Sequence, residues 1–151
     1  YTNLCPVCQN EVEDIFHMFV FCDELYDTIT VFRDLFTNIF RDTGYSFSDL
    51  LTYLMFGFYS QNVNDCSDCI NILLSLYRIS VFKRRAISSL EGKNINLLAF
   101  FKNNVRNYFK ILLFHYNKSN QLFSFVNKYC QPLDIIKVVN NEEIVLQYPL
   151  W

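Results

Sequence analysis

Cys5, Cys8, His17 and Cys22 follow one another in the order and spacing C-x2-C-x8-H-x4-C. Tetrahedral zinc takes soft thiolate and imidazole donors from short chain segments, and a Cys-x-x-Cys turn supplies two of them without long loop closure. Pro6, between the first two cysteines, fixes the backbone in such a turn and would be rejected by a helix interior. His17 and Cys22 supply the second pair. Three thiolates and one imidazole would fill the coordination sphere of one Zn2+ and leave no position for water, so the expected site is structural rather than hydrolytic. The alternatives are disulfides or cysteines packed in a core. A secreted disulfide framework comes with an apolar leader or a dense, even set of half-cystines, whereas this chain starts YTNLCPVC, and zinc is the favoured reading.

The elements around these residues must hold that geometry. His17 and Cys22 are five residues apart, and on a continuous α-helix their side chains would diverge by about 140°. The backbone is therefore expected to bend or tighten between them. Directly after Cys22, the segment from Asp23 to Phe40 carries a helical stripe of Ile29, Phe32, Leu35, Phe36, Ile39 and Phe40, with Asp23, Glu24 and Asp27 at its positive end. A shorter helix is expected from a cap at Ser48 to about Gly57. Two longer ones follow. From Asp68 to about Leu90 the stripe is Ile70, Leu73, Leu74, Tyr77, Val81 and Phe82; from Ile95 to Tyr116 it is Leu98, Phe101, Val105, Phe109, Leu112 and Tyr116. Beyond a short helix at Leu122 to Tyr129, stopped by Pro132, DIIKVV and EEIVLQY flank Asn140-Asn141 and make either a hairpin or an extended tail.

The expected fold is mostly α: a zinc-clasped head over residues 1–22, a helical body over 23–131, and a tail or hairpin over 132–151 packed on the body. With 151 residues and 52% hydrophobic content the chain can bury its own core, and no apolar run approaches a membrane span. The start without Met, just before the first ligand, reads as a segment of a longer protein.

A net charge of -2 conceals a reversal of sign along the chain. Up to Cys69 eleven acids face two bases; from Arg78 to Lys128 ten bases face the single acid Glu91. The basic half offers a phosphate-binding face built from Arg78, Lys83, Arg84, Arg85, Lys102, Arg106 and Lys110. Lys102, Arg106 and Lys110 stand at i, i+4, i+8, where like charges repel by a few tenths of a kcal/mol per pair unless a polyanion relieves them, at about that magnitude. Two other readings remain open: a solvated surface, or cations that pair internally with the acidic half. Tyr108 is a candidate for stacking on an unpaired base, against core packing as its ordinary role.

CPVCQNEVEDIFHMFVFC resembles the zinc-binding segment that follows the polymerase domain in LINE-type, non-LTR retrotransposon reverse transcriptases. The likeness lies in Cys5-Pro6, Cys8, Glu13-Asp14, His17-Met18-Phe19 and Cys22, and more loosely in the downstream run LLSLYRISVFKRRAI. It implies a CCHC-type accessory domain that holds template RNA, and DNA at the target, beside an upstream polymerase domain of the same polyprotein. It also implies an intracellular ribonucleoprotein, cytoplasmic and nuclear. The domain itself is expected to be non-catalytic, since the chain has three glycines, no phosphate-cradling loop and no Ser, His and Asp arrangement. The rival reading is a zinc-stabilised structural or protein-interaction module. A second CxxC, Cys66 and Cys69, has His115 and Cys130 as distant possible partners, but the apolar helix starting there favours core cysteines.

Overall fold

Helical periodicity in the sequence becomes helix over most of the chain. The computed structural model describes residues 3–59 and 64–150. Within them a small head is followed by α1 (Tyr26–Ile39), α2 (Phe47–Phe56), α3 (Asn64–Glu91), α4 (Leu97–Lys118) and a short α5 (Leu122–Phe125), then an antiparallel pair, β1 (Ile136–Val139) with β2 (Glu143–Leu146). The fold is thus mostly α with a small C-terminal hairpin.

α3 is the axis on which the rest is mounted. Its 28 residues span about 42 Å, and Ile70, Leu73, Leu74, Tyr77 and Val81 are fully buried along it. α4 starts at Asn96, whose side chain accepts the Ala99 amide at 2.8 Å, and lays Phe101, Val105 and Phe109 into the same core. α1 joins both, because the Phe32 ring meets Tyr77 at 5.3 Å and Phe101 at 5.6 Å between centroids. Burying one such side chain stabilises by about 1.5–3 kcal/mol, so the region where α1, α3 and α4 meet, with Phe32, Tyr77 and Phe101 all buried, contributes strongly to the fold.

The ends of the helices show where local chemistry overrode the expected bounds. Asp23–Leu25 is a single 3-10 turn, and α1 begins only at Tyr26. The cap of α2 is Ser46, not Ser48: the Ser46 hydroxyl accepts the Asp49 amide at 3.1 Å while the Asp49 carboxylate accepts the Ser46 amide at 2.8 Å, a reciprocal capping box. At the other end Gly57 adopts φ 100, and a Cβ there would stand 3.0 Å from the Asn71 side-chain oxygen. That amide exchanges two hydrogen bonds of 2.8 Å with the Phe58 backbone and so ties the exit of α2 to α3.

The C-terminal segment is the hairpin rather than an extended tail. Asn140 and Asn141 take left-handed φ values of 51 and 61 and form the centre of a turn closed by the Glu142 amide donating to the Val139 carbonyl at 3.2 Å, within a three-residue connection of Asn140, Asn141 and Glu142. The register sets Val139 opposite Glu143 and Ile136 opposite Leu146. Ile136, Ile144 and Leu146 are buried, and β2 packs on α4. Beyond the strands the Tyr148 hydroxyl donates to the Asp34 carboxylate at 2.9 Å, tying the segment to α1.

Candidate metal centre

The first half of the head is a tight antiparallel loop. Leu4 pairs with Val12, and the Cys5 amide donates to the Glu11 carbonyl at 2.8 Å. Between them the chain reverses through a turn at Pro6, Val7 and Cys8, with Gln9 left-handed at φ 58. That reversal aims the amides of Val7 and Cys8 at the Cys5 sulfur, each at 3.4 Å.

The second half solves the angular problem posed by His17 and Cys22. Asp14 accepts the His17 amide at 2.6 Å and so opens a helical turn. His17–Phe21 is then a π-turn, closed by the Cys22 amide donating to the His17 carbonyl at 3.0 Å. An i→i+5 bond takes one more residue into the turn than an α-helix does, so residues five apart return to the same side. The backbone loosens rather than tightens here, then leaves the helix at Cys22 in an extended conformation, φ -66 and ψ 125.

As a result Cys5 Sγ, Cys8 Sγ, His17 Nε2 and Cys22 Sγ all lie within 4.8 Å of one another. The Cys5 and Cys22 sulfurs are 3.9 Å apart, and Cys8 Sγ is 3.3 Å from His17 Nε2. All six cysteines of the chain are free thiols. This Cys3His cluster could hold one metal ion, with every position of a four-coordinate sphere filled by protein.

The electrostatics prepare the sulfurs unequally. Burial opposes ionisation of Cys5, but the amides of Cys8 and Val7 bring its pKa below the usual thiol value. At Cys8 burial is likewise outweighed, here by the amides of Asn10 and Glu11. Cys22 goes the other way. Burial, with the neighbouring Cys5 and Cys8 sulfurs adding to it, pushes its pKa up to about 12.

Three side chains of α3 hold this head against the body. The buried Tyr77 hydroxyl donates to the Phe19 carbonyl inside the π-turn at 2.5 Å, and burial drives its pKa well above the ordinary phenol value. Arg84 donates to the Glu24 carbonyl at 3.1 Å, to the Glu24 carboxylate at 2.8 Å and to Asn94 Oδ1 at 2.9 Å. Arg85 pairs with the Glu13 carboxylate and directs a guanidinium N–H at the Cys5 sulfur, 3.5 Å away.

These placements revise the expected phosphate face. Arg84 and Arg85 are only 3% and 6% exposed and are consumed by Glu24, Glu13 and Cys5, so they cannot reach a polyanion. Arg78 is half-buried, donates to the Leu54 and Met55 carbonyls at 3.3 and 3.2 Å, and closes the C-terminal end of α2 from the side. Its pKa is lowered by burial. Internal pairing is therefore the fate of the α3 arginines, with acids for Arg84 and Arg85 and with backbone carbonyls for Arg78. Lys83, Arg106 and Lys110 are exposed, and Lys102 is half-buried. Across its 22 residues α4 carries no acid, and neither Arg106 nor Lys110 meets an acidic partner among the described residues.

Two further expectations can be placed. Cys66, Cys69 and Cys130 are buried body residues, and burial pushes Cys69 and Cys130 up to about 12 and about 11. His115 is exposed, and among the described residues the head holds the one group of potential metal ligands that converges. Tyr108 is 38% exposed and lines an apolar groove with Ile72, Leu76, Ile79 and Tyr129, an intermediate position between the core and free solvent.

The head anchors are what sequence reasoning missed. Their signal was present: Arg84 and Arg85 follow Tyr77 and Val81 at helical spacing and so extend the buried stripe of α3. No family profile, curated protein or solved structure matches this chain. Among the described residues no helix is long and apolar enough to cross a membrane.

Proposed function

We propose that the Cys3His cluster holds one structural Zn2+, and that the chain is a non-catalytic accessory domain that binds nucleic acid through α4. The metal reading rests on distances. With Zn–S near 2.3 Å and Zn–N near 2.0 Å, a tetrahedron has edges of about 3.8 Å between sulfurs and about 3.5 Å between sulfur and nitrogen. The separations are 3.9 Å for Cys5 and Cys22 and 3.3 Å for Cys8 and His17, and the whole set lies within 4.8 Å, so a bound ion would draw the remaining pairs closer. Thiolates and imidazole also disfavour Mg2+ and Ca2+, which take oxygen donors. When bound, the ion would supply cross-linking of the two halves of the head, not a reactive water.

The observation that carries the nucleic-acid reading is the solvent face of α4. Arg106 and Lys110 stand one turn apart and exposed, with exposed Asn103 and Asn107 beside them and no acid on the helix. Lys83 on α3 is a further exposed cation. The resemblance of residues 5–22 to LINE-type reverse transcriptases agrees with this reading and makes template RNA the first ligand to test, with an upstream polymerase domain as the implied neighbour. Filter binding of a single-stranded RNA across a salt series is the test. Affinity falling steeply with log salt is expected, and Arg106→Glu with Lys110→Glu should weaken binding and flatten that slope by about two. An unchanged slope overturns the α4 interface.

One observation favours a second reading, a zinc-stabilised module that docks on another protein. The groove holding Tyr108 is largely apolar, between Ile72, Leu76 and Ile79 of α3 and Tyr129. RNA binding absent at low salt in metal-loaded protein would select it.

A further inference from the structure

We infer that Arg85 is an outer-sphere partner of the metal centre: a guanidinium delivered from α3 that stands against the Cys5 sulfur, offsets the negative charge of the loaded site and couples metal binding to docking of the head. The inference rests on the metal reading above and adds a residue 80 positions away from the sulfur it serves.

The geometry assigns this role to Arg85 and withholds it from its neighbour. Arg85 is 6% exposed, pairs with Glu13 and places Nη2 at 3.5 Å from Cys5 Sγ. Arg84 is as deeply buried and holds the turn that follows Cys22, but its three hydrogen bonds go to Glu24 and Asn94, none to sulfur. Cys5 is also the most heavily solvated by donors of the cluster's sulfurs, receiving the Val7 and Cys8 amides in addition to Arg85. A divalent ion with three thiolates and one neutral imidazole keeps a net negative charge in a site whose Cys5 and Cys22 are 0% and 2% exposed. A buried charge of that kind is costly unless something of opposite sign stands beside it. Arg85 is that group, and Glu13 fixes its orientation and moderates its charge. Outer-sphere partners of this type tune metal affinity by about 10- to 100-fold.

The role has a signature that packing alone lacks. A cation or N–H donor at a thiolate lowers the energy of the sulfur lone pair and moves the sulfur-to-metal charge-transfer band of the Co2+ form to shorter wavelength. In Arg85→Met that donor is lost. Metal affinity should fall by about 10- to 100-fold in competition with a chromophoric chelator, and the Co2+ band should move to longer wavelength. In Glu13→Gln the full guanidinium charge is left facing Cys5, and the band should move the opposite way. Arg84→Met is the control: it loosens the head without touching sulfur, so its Co2+ band should match the unsubstituted protein.

The experiment uses the whole chain, reduced and loaded with Co2+ or Zn2+. Opposite band shifts in Arg85→Met and Glu13→Gln, with none in Arg84→Met, support the inference. Identical spectra and affinity in the unsubstituted protein and Arg85→Met overturn it, as does an equal effect in Arg84→Met and Arg85→Met. If Arg85→Met does not fold, Glu13→Gln decides, and an unshifted band in that variant overturns the inference. Failure of the unsubstituted protein to bind either ion is a different result and removes the metal reading itself.

Discussion

The head and the body are held together by different physics. In the body, α1, α3 and α4 share a core of rings and branched side chains in which Phe32, Tyr77 and Phe101 touch directly. In the head, Ile15, Phe16 and Phe21 are about half exposed, at 55%, 51% and 55%, and the buried groups near them are three of the four candidate ligands, Cys5, His17 and Cys22, with Val20 and Leu25 as the apolar contribution. Apolar burial accumulates over many side chains and survives the loss of one, whereas a four-donor site depends on each donor. The contrast therefore teaches where the molecule is brittle: on the proposed metal reading the head depends on coordination, and the body adds the α3 anchors and a small share of its core, at Val20 and Leu25.

Substitutions sharpen this contrast in descending order of effect. On the proposed zinc reading Cys22→Ser should be the most severe locally, because metal coupling on the order of 10 kcal/mol would be withdrawn from the head. Hydrogen exchange should show amides before Tyr26 opening while α3 and α4 stay protected; uniform loss of protection would mean that the body has no stability of its own. Phe101→Ala works from the other side. It removes a fully buried ring at the meeting point of three helices, and a cost of about 3–5 kcal/mol in denaturant unfolding is expected. Here head and body should lose protection together, since the anchors Tyr77, Arg84 and Arg85 lie on α3.

Ser46→Ala acts on neither region's centre and should cost about 1 kcal/mol through lost capping of α2. The effect has a pH sign. The Ser46 amide and hydroxyl hold the Asp49 carboxyl below the usual carboxylate range. A depressed folded pKa contributes stability that is present above the unfolded value and lost as pH falls through the folded one. The gap between Ser46→Ala and the parent in thermal unfolding should therefore narrow in acid. Smallest of all for stability is the pair Arg106→Glu and Lys110→Glu. Both sites are exposed and unpaired with acids among the described residues, so melting should hardly move while RNA affinity falls.

The stripes of α1, α3 and α4 were legible because buried positions recur at helical spacing, whereas Asn140-Asn141 offered a hairpin only as one of two readings, beside an extended tail. Cys5, Cys8, His17 and Cys22 were legible as a set because ligand spacing is local. What joins them was not. The π-turn from His17 to Phe21 depends on i→i+5 hydrogen bonding in place of i→i+4, and periodicity carries no mark of it. The capping residue of α2 was misplaced by two positions although Ser46 and Asp49 form the S-x-x-D pattern. The largest revision concerns charge. Arg78, Arg84 and Arg85 counted toward a basic face, yet each is spent on a group 23 to 80 residues distant. Composition gives the sign of a charge; only the helix face gives its partner, and Arg84 and Arg85 sit on the face that Tyr77 and Val81 had already marked as buried.

The claim on which the rest depends is that the four donors of the head bind one metal ion. Native mass spectrometry of the reduced chain, purified without chelator, measures this directly. One zinc per chain, lost in Cys22→Ser and retained in Ser46→Ala, is the expected result; a metal-free chain that stays metal-free when zinc is added would contradict it.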